Sequence, residues 1–235
     1  MVWIFWALGM TLVTLLSAFI LNRWREFGLV ALTSFYCLYL VASQIMATRI
    51  ATFPLYFYTL YAPSAVFIYP FTAQVLDMIN ETYGLKAAQR AIILAFLTQV
   101  GLVILIFLVK SLPAAPFFEF EAQWQRIFSQ GVRITASSWA AFLICELIDA
   151  KVFSWLKKKY PQKAWLRSLG SDLINLTLDS VLFVTFAFWG VFPIGSLILG
   201  QIVSKNLIGF IDTPWFLWYR RLVKRKEEIS FAHVK

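Results

Sequence analysis

AAQRAIILAFLTQVGLVILIFLV (residues 87–109) is the stretch whose reading decides the fold. One charged residue, Arg90, stands near its start, and none follows before Lys110. A helix rises 1.5 Å per residue and the hydrocarbon core of a bilayer is about 30 Å thick, so roughly 20 apolar residues cross it. Residues 87–109 are long enough and apolar enough to do so. Six further stretches have the length for a crossing: 2–21, 28–47, 62–79, 132–155, 172–189 and 194–218. The stretch at 62–79 contains Pro63 and Pro70, so a bend is expected there. Residues 2–21 lack a basic leader and run too long for a secretory signal, so they read as a true span.

The composition agrees. Of 235 residues, 60% are hydrophobic and only 14% are charged, against about 25% in soluble domains. That leaves too little charge for the polar surface of a water-soluble enzyme, a secreted domain or a disordered chain. The 23 Phe, 10 Trp and 9 Tyr suit lipid-facing and interfacial positions. Both cysteines, Cys37 and Cys145, fall inside spans and read as apolar packing, with no disulfide framework and no zinc site. The expected fold is therefore all-α: a polytopic transmembrane bundle of about seven spans, with no separate soluble domain, internal repeat or low-complexity segment.

The joints carry two features. The loop from Ser111 to about Gly131 contains Phe117, Phe118, Phe120 and Trp124, the pattern of a short amphipathic helix lying on the interface. Residues 51–61 are apolar and aromatic, with Pro54 near the start, and read as extended or re-entrant.

Seven spans divide the loops between two sides. Arg23, Arg25, Lys86, Arg90, Lys151, Lys157, Lys158, Lys159, Lys163, Arg167, Arg220, Arg221, Lys224, Arg225, Lys226 and Lys235 fall on one side. Arg49, Lys110 and Arg126 fall on the other, and Arg133 and Lys205 lie within spans. Sixteen of 21 basic residues against three is a strong bias. By the positive-inside rule it puts the N-terminus outside and the C-terminus in the cytoplasm. The net charge of +9 then reports topology and contact with membrane lipid, with no call for nucleic acid. The run from Arg220 to Lys226 reads either as an anchor near anionic lipid or as a docking site for a protein.

Ionisable groups at membrane depth are costly and therefore candidates for function. Asp77 lies near the cytoplasmic end of the third span, with Lys86 or Arg90 as plain structural partners. Arg133 and Ser137 share a face of the fifth span, as do Glu146 and Asp149. Those two acids would repel if both were ionised, so one is protonated or meets a base from a neighbouring span; Lys151 and Lys157 are the local candidates for Asp149. In the sixth span Asp172, Asn175 and Asp179 form one polar stripe, continued by Phe183 and Phe186. Lys205 and Asn206 sit near the middle of the seventh. The tight connection 190–195 makes Asp179 and Lys205 neighbours and an ion pair their natural compensation. Gln44, Gln74, Gln99 and Gln201 serve either as interhelical hydrogen-bonding contacts or as ligand contacts. Together these groups fit a bundle enclosing a polar solute. No nucleophile elbow, HExxH, CxxC or P-loop occurs, and the only histidine, His233, lies in the tail, so no catalytic residue, metal site or cofactor is expected.

Four ordered blocks resemble the queuosine-precursor transporter family, also called vitamin uptake transporters. They are Tyr69-Pro-Phe-Thr-Ala-Gln-Val-Leu-Asp77 with Asn80-Glu-Thr-Tyr-Gly84; Arg133-Ile-Thr-Ala-Ser137 with Ala140-Ala-Phe, Asp149 and Val152-Phe153; Trp165-Leu-Arg167 with Ser171, Asp179-Ser180 and Phe183; and Lys205 with Pro214. The resemblance covers about residues 36–218. It departs from the family pattern at Asp172, where a Thr is usual, at Leu176, where a Gln is common, and at Glu146, where an amide is common. It implies a six-helix core at 28–218, an additional N-terminal span at 1–27 and a basic cytoplasmic tail at 219–235.

The resemblance also implies import of a 7-deazaguanine, preQ0 or preQ1, across the cell membrane, with no enzymatic step. Aromatic rings would stack on such a solute. Carboxylates would take its donor edge: Asp179 and Glu146 first, with Asn175 or Gln99 as helpers. Arg133 and Lys205 would donate to its carbonyl oxygen or balance the acids, and Asp149 and Asp77 complete the candidate site. A second reading is the solute-capturing subunit of an energy-coupling-factor importer, which requires an ATPase partner; a third is a membrane enzyme or assembly factor. Homo-oligomerisation is compatible with all three.

Overall fold

The computed structural model describes residues 2–46, 49–54, 59–128, 132–190 and 194–232. Long apolar runs give α1 (Val2–Arg23), α2 (Gly28–Met46), α4 (Leu85–Lys110) and α7 (Ala164–Phe188). Each is long and apolar enough to cross a membrane. Three more long helices, α3 (Ala65–Tyr83), α6 (Val132–Lys159) and α8 (Ile194–Ala232), carry more polar and charged residues. A short helix, α5 (Glu121–Phe128), lies where the amphipathic segment was expected. Its neighbours Phe117 and Phe120 are exposed.

Of the segment expected to be extended or re-entrant, 51–54 and 59–61 run extended, and 55–58 lie outside the described residues. Ile50–Pro54 (β1) pairs antiparallel with Thr59–Pro63 (β2), Ile50 opposite Pro63 and Pro54 opposite Thr59. Such a hairpin satisfies part of its own backbone, which a non-helical segment near a membrane needs. It is the only sheet among the described residues.

α3 occupies the centre, packing against α1, α2, α4, α6 and α8. Every residue from Gln74 to Asn80 is buried, as expected of a helix enclosed on all sides. Pro70 sits inside α3 without ending it. Gly84 does end it: its φ of +82° is a conformation side chains disfavour, and the chain turns directly into α4. At the α7–α8 contact, a Cβ on Gly209 would come within 2.8 Å of Leu176 Cδ1, so glycine permits the close approach.

The outer surfaces are apolar. Ile4, Phe5, Leu8 and Leu12 of α1 and Leu97, Ile104 and Leu105 of α4 are exposed, whereas Gln74, Asp77, Glu146, Asp149 and Asp172 are buried. This inverts the distribution of a soluble protein and fits lipid as the surrounding solvent.

Three boundaries differ from the hydropathy reading. α3 begins at Ala65, because Ala62 and Pro63 belong to β2. α7 begins at Ala164, ahead of the expected 172, so Arg167, Ser168 and Ser171 are helical and buried. α8 runs on to Ala232 through the expected tail, whose Arg, Lys and Glu are good helix formers.

Candidate functional site: a buried polar column

The polar residues of the interior form successive groups along the bundle. Tyr36 of α2, Tyr69 of α3, Glu146 of α6 and Asn175 of α7 meet around one carboxylate. Tyr36 Oη donates to Glu146 Oε2 at 2.5 Å, while Tyr69 Oη and Asn175 Nδ2 donate to Oε1 at 3.4 and 3.2 Å. Four helices thus converge on a carboxylate that is only 5% exposed. Asn175 Oδ1, on the same side chain, is buried with no hydrogen-bond partner in the protein. An unfilled buried acceptor is costly, so such an atom in a native fold calls for an explanation.

Beside this cage, Lys205 Nζ of α8 pairs with Asp179 Oδ2 of α7 at 2.5 Å. The same ammonium lies 5.6 Å from the centre of the Tyr69 ring. The pair expected from the short α7–α8 connection is therefore formed, and Tyr69 links it to Glu146. Gln44 Nε2 of α2 donates to Gln99 Oε1 of α4 at 2.5 Å, leaving Gln99 Nε2 without a partner. Gln74 donates to Thr14 at 2.9 Å and fastens α3 to α1.

One helical turn from Glu146 and Asn175, on the same two helices, lie Asp149 and Asp172. With Asp77 of α3 they form a triad whose nearest oxygens all lie within 4.8 Å of one another. All three are buried, as is Asp212 of α8, which lies close to Asp77 and Asp172. Two ionised carboxylates at that separation repel by roughly 3 kcal/mol at an effective dielectric of 20. The expected contact of Asp77 with Lys86 or Arg90 does not form, because the turn at Gly84 leaves both cations exposed at the start of α4. Lys151 is likewise exposed, and Lys157 turns to other partners, so Asp149 has neither of its expected bases.

Those other partners surround Glu81. Its Oε1 accepts from Arg167 Nη2 of α7 at 2.5 Å and from Arg220 Nε of α8 at 3.0 Å. Lys157 of α6 lies 3.6 Å from Oε2 and donates to the Glu81 carbonyl at 2.5 Å. Arg167 Nη1 also donates to the Pro161 carbonyl at 3.1 Å. One carboxylate of α3 therefore ties together three helices at the basic end of the bundle.

Glu146, Asn175, Asp179 and Lys205 are thus brought into one region, and Asp149 and Asp77 into the adjoining triad. Gln99 pairs with Gln44 instead of joining the cage. Arg133 falls on the first turn of α6, and its side chain lies outside the described residues. The stripe expected on α7 is partial: Asp172 and Asn175 are buried, but Phe186 is exposed. Sequence reasoning does not assign Tyr36 or Tyr69 to the site, and places Asp172 on the polar stripe without counting it among the solute contacts. The signal for Tyr69 is its place in a motif block; for Tyr36, one of two tyrosines in an apolar span, there is none.

An apolar exterior around this buried polar column defines a multi-pass membrane protein with solute-transporter character. Residues 63–219 match the family described as "Putative vitamin uptake transporter". The match spans most of the chain, which belongs to that family. The chain is also similar to a protein of Bacillus subtilis (strain 168) described as "Probable queuosine precursor transporter". The two are 24% identical over 159 residues, 66% of this chain and 69% of the relative. No solved structure matches.

Proposed function

We propose that this protein imports a 7-deazaguanine precursor of queuosine or archaeosine, preQ0 or preQ1, and that the Glu146 cage with the Asp179–Lys205 pair is where the solute binds. The observation that carries the reading is Asn175 Oδ1, a buried acceptor with no partner in the protein, on a side chain that already holds Glu146. A deazaguanine presents two adjacent N–H donors on one edge, a carbonyl next to them and a flat aromatic face. Asn175 Oδ1 and Glu146 supply acceptors for the donor edge, and displacing Tyr69 from its long bond opens one position on Oε1 beside the donor from Asn175. Lys205, by leaving Asp179, supplies a donor for the carbonyl. The ring of Tyr69, half-buried beside Lys205, offers a face for stacking. The similar Bacillus protein, by its description, points to the same solute class.

The basic-side bias then orients the protein with its C-terminus in the cytoplasm. The test is uptake in cells unable to make preQ0. Expression of the protein is expected to restore modified-base synthesis when preQ0 or preQ1 is supplied at low concentration. Failure to do so with a correctly inserted protein removes both solutes.

A further inference from the structure

We propose that Asp77, Asp149 and Asp172 form a binding site for a hard metal cation, lying one helical turn from the Glu146 cage. Oxygens that ligate one ion of sodium's or calcium's size at about 2.4 Å stand at most about 4.8 Å apart, and the three carboxylates meet that bound. They come from α3, α6 and α7, so no local sequence pattern announces them. A cluster of acids alone would not make a site, but Asp149 adds an independent sign. Its side chain is 3% exposed, and Oδ1 is enclosed with no hydrogen-bond donor in the protein. Among the described residues no Lys or Arg forms an ion pair with any of the three, or with Asp212 beside them. The bases that sequence proximity offered are turned away: Lys86 and Arg90 are exposed, and Lys157 is held by Glu81. Three buried carboxylates with an unfilled oxygen and no protein cation are the donor set that a hard, oxygen-preferring ion takes.

The placement also gives the ion a role. Asp149 follows Glu146 by one turn on α6, and Asp172 precedes Asn175 by one turn on α7. A cation that draws Asp149 and Asp172 together fixes the relative rotation and register of α6 and α7, and so the positions of Glu146 and Asn175. This coupling role rests on the solute reading above; the cation site does not.

The test therefore reads the ion without the solute. The purified protein in non-ionic detergent is unfolded by heat while tryptophan fluorescence is followed, with Na+, Ca2+ or Mg2+ replacing N-methylglucamine at constant ionic strength and pH. One of these ions is expected to raise the midpoint saturably by several degrees. Asp149→Asn and Asp172→Asn, each checked as monodisperse, are expected to lose that rise, and Glu146→Gln to keep it. A midpoint that responds to no ion, or only to pH, overturns the proposal, as does a rise that survives both aspartate substitutions. Retained ion stabilisation in a protein that transports no deazaguanine would leave the cation site standing and remove only its coupling to that solute.

Discussion

Replacing Glu81 by Gln removes the single negative charge from a hub of three cations and isolates one of them inside the protein. Arg167 is 1% exposed, so its guanidinium cannot turn to water when its carboxylate is lost. Removing one partner of a buried pair costs about 3–5 kcal/mol. Arg220 and Lys157 are 18% and 34% exposed, and for such partly hydrated pairs the contribution is about 0.2–1 kcal/mol each. The glutamine keeps an acceptor at the Oε1 position, so the expected loss for Glu81→Gln is about 3 kcal/mol, most of it from Arg167. Arg167→Met removes the guanidinium that would be stranded, so the double variant is expected to be more stable than the summed single costs by about 2 kcal/mol. Unfolding of purified protein in mixed micelles with rising SDS fraction, followed by tryptophan fluorescence, measures all three variants. A Glu81→Gln protein within about 1 kcal/mol of the parent refutes the reasoning, as do single costs that simply add.

Asp179→Asn should abolish uptake while the protein remains inserted and monodisperse, because it leaves Lys205 without its carboxylate; unchanged uptake removes Asp179 from the site. Asn175→Leu, which deletes the unfilled acceptor, should raise the KM for transport about tenfold or more, as expected for a lost hydrogen bond to a buried group; a lowered maximal rate at unchanged KM argues against solute contact. Gly84→Ala should destabilise the protein by about 1–3 kcal/mol, because its φ of +82° with ψ of 177° is a conformation essentially restricted to glycine, even with open space around the new methyl; a neutral result in the same unfolding measurement shows that the turn can relax.

The helical bundle was legible because the bilayer imposes one length on every crossing. The stretches at 2–21, 28–47 and 87–109 fall on α1, α2 and α4 within a few residues. The partners of the interior groups were not legible, because packing sets them across large separations. Tyr36 and Glu146 are 110 residues apart in sequence, and no periodicity links them. Local proximity misled at Asp77, where Lys86 and Arg90 looked like natural partners; the turn at Gly84 points them away. The Asp179–Lys205 pair was foreseeable because a short connection constrains two consecutive helices to lie side by side.

Arg167 explains why one helix start was missed and why the charge pattern must be read in two parts. A scan for apolar runs treats a basic residue as loop, so the sixth span seemed to begin at 172, past Arg167. In the fold α7 begins at Ala164, and Arg167 is buried because Glu81 compensates it. Lys157 and Arg220 turn toward the same carboxylate. Three of the sixteen basic residues assigned to one side are therefore engaged in tying helices together, which leaves thirteen (16 − 3) against three as orientation markers. The bias survives that subtraction, so the inside-positive reading does not depend on the hub. The hub in turn does not depend on the bias: its position is dictated by Glu81, the acid of the Asn80–Gly84 block, at the last turn of the central helix. Separating α3 from α6, α7 and α8 at the basic end would break the Glu81 contacts together with those of Asn80 to Ala150 and Ser154 of α6 and of Thr82 to Tyr219 of α8.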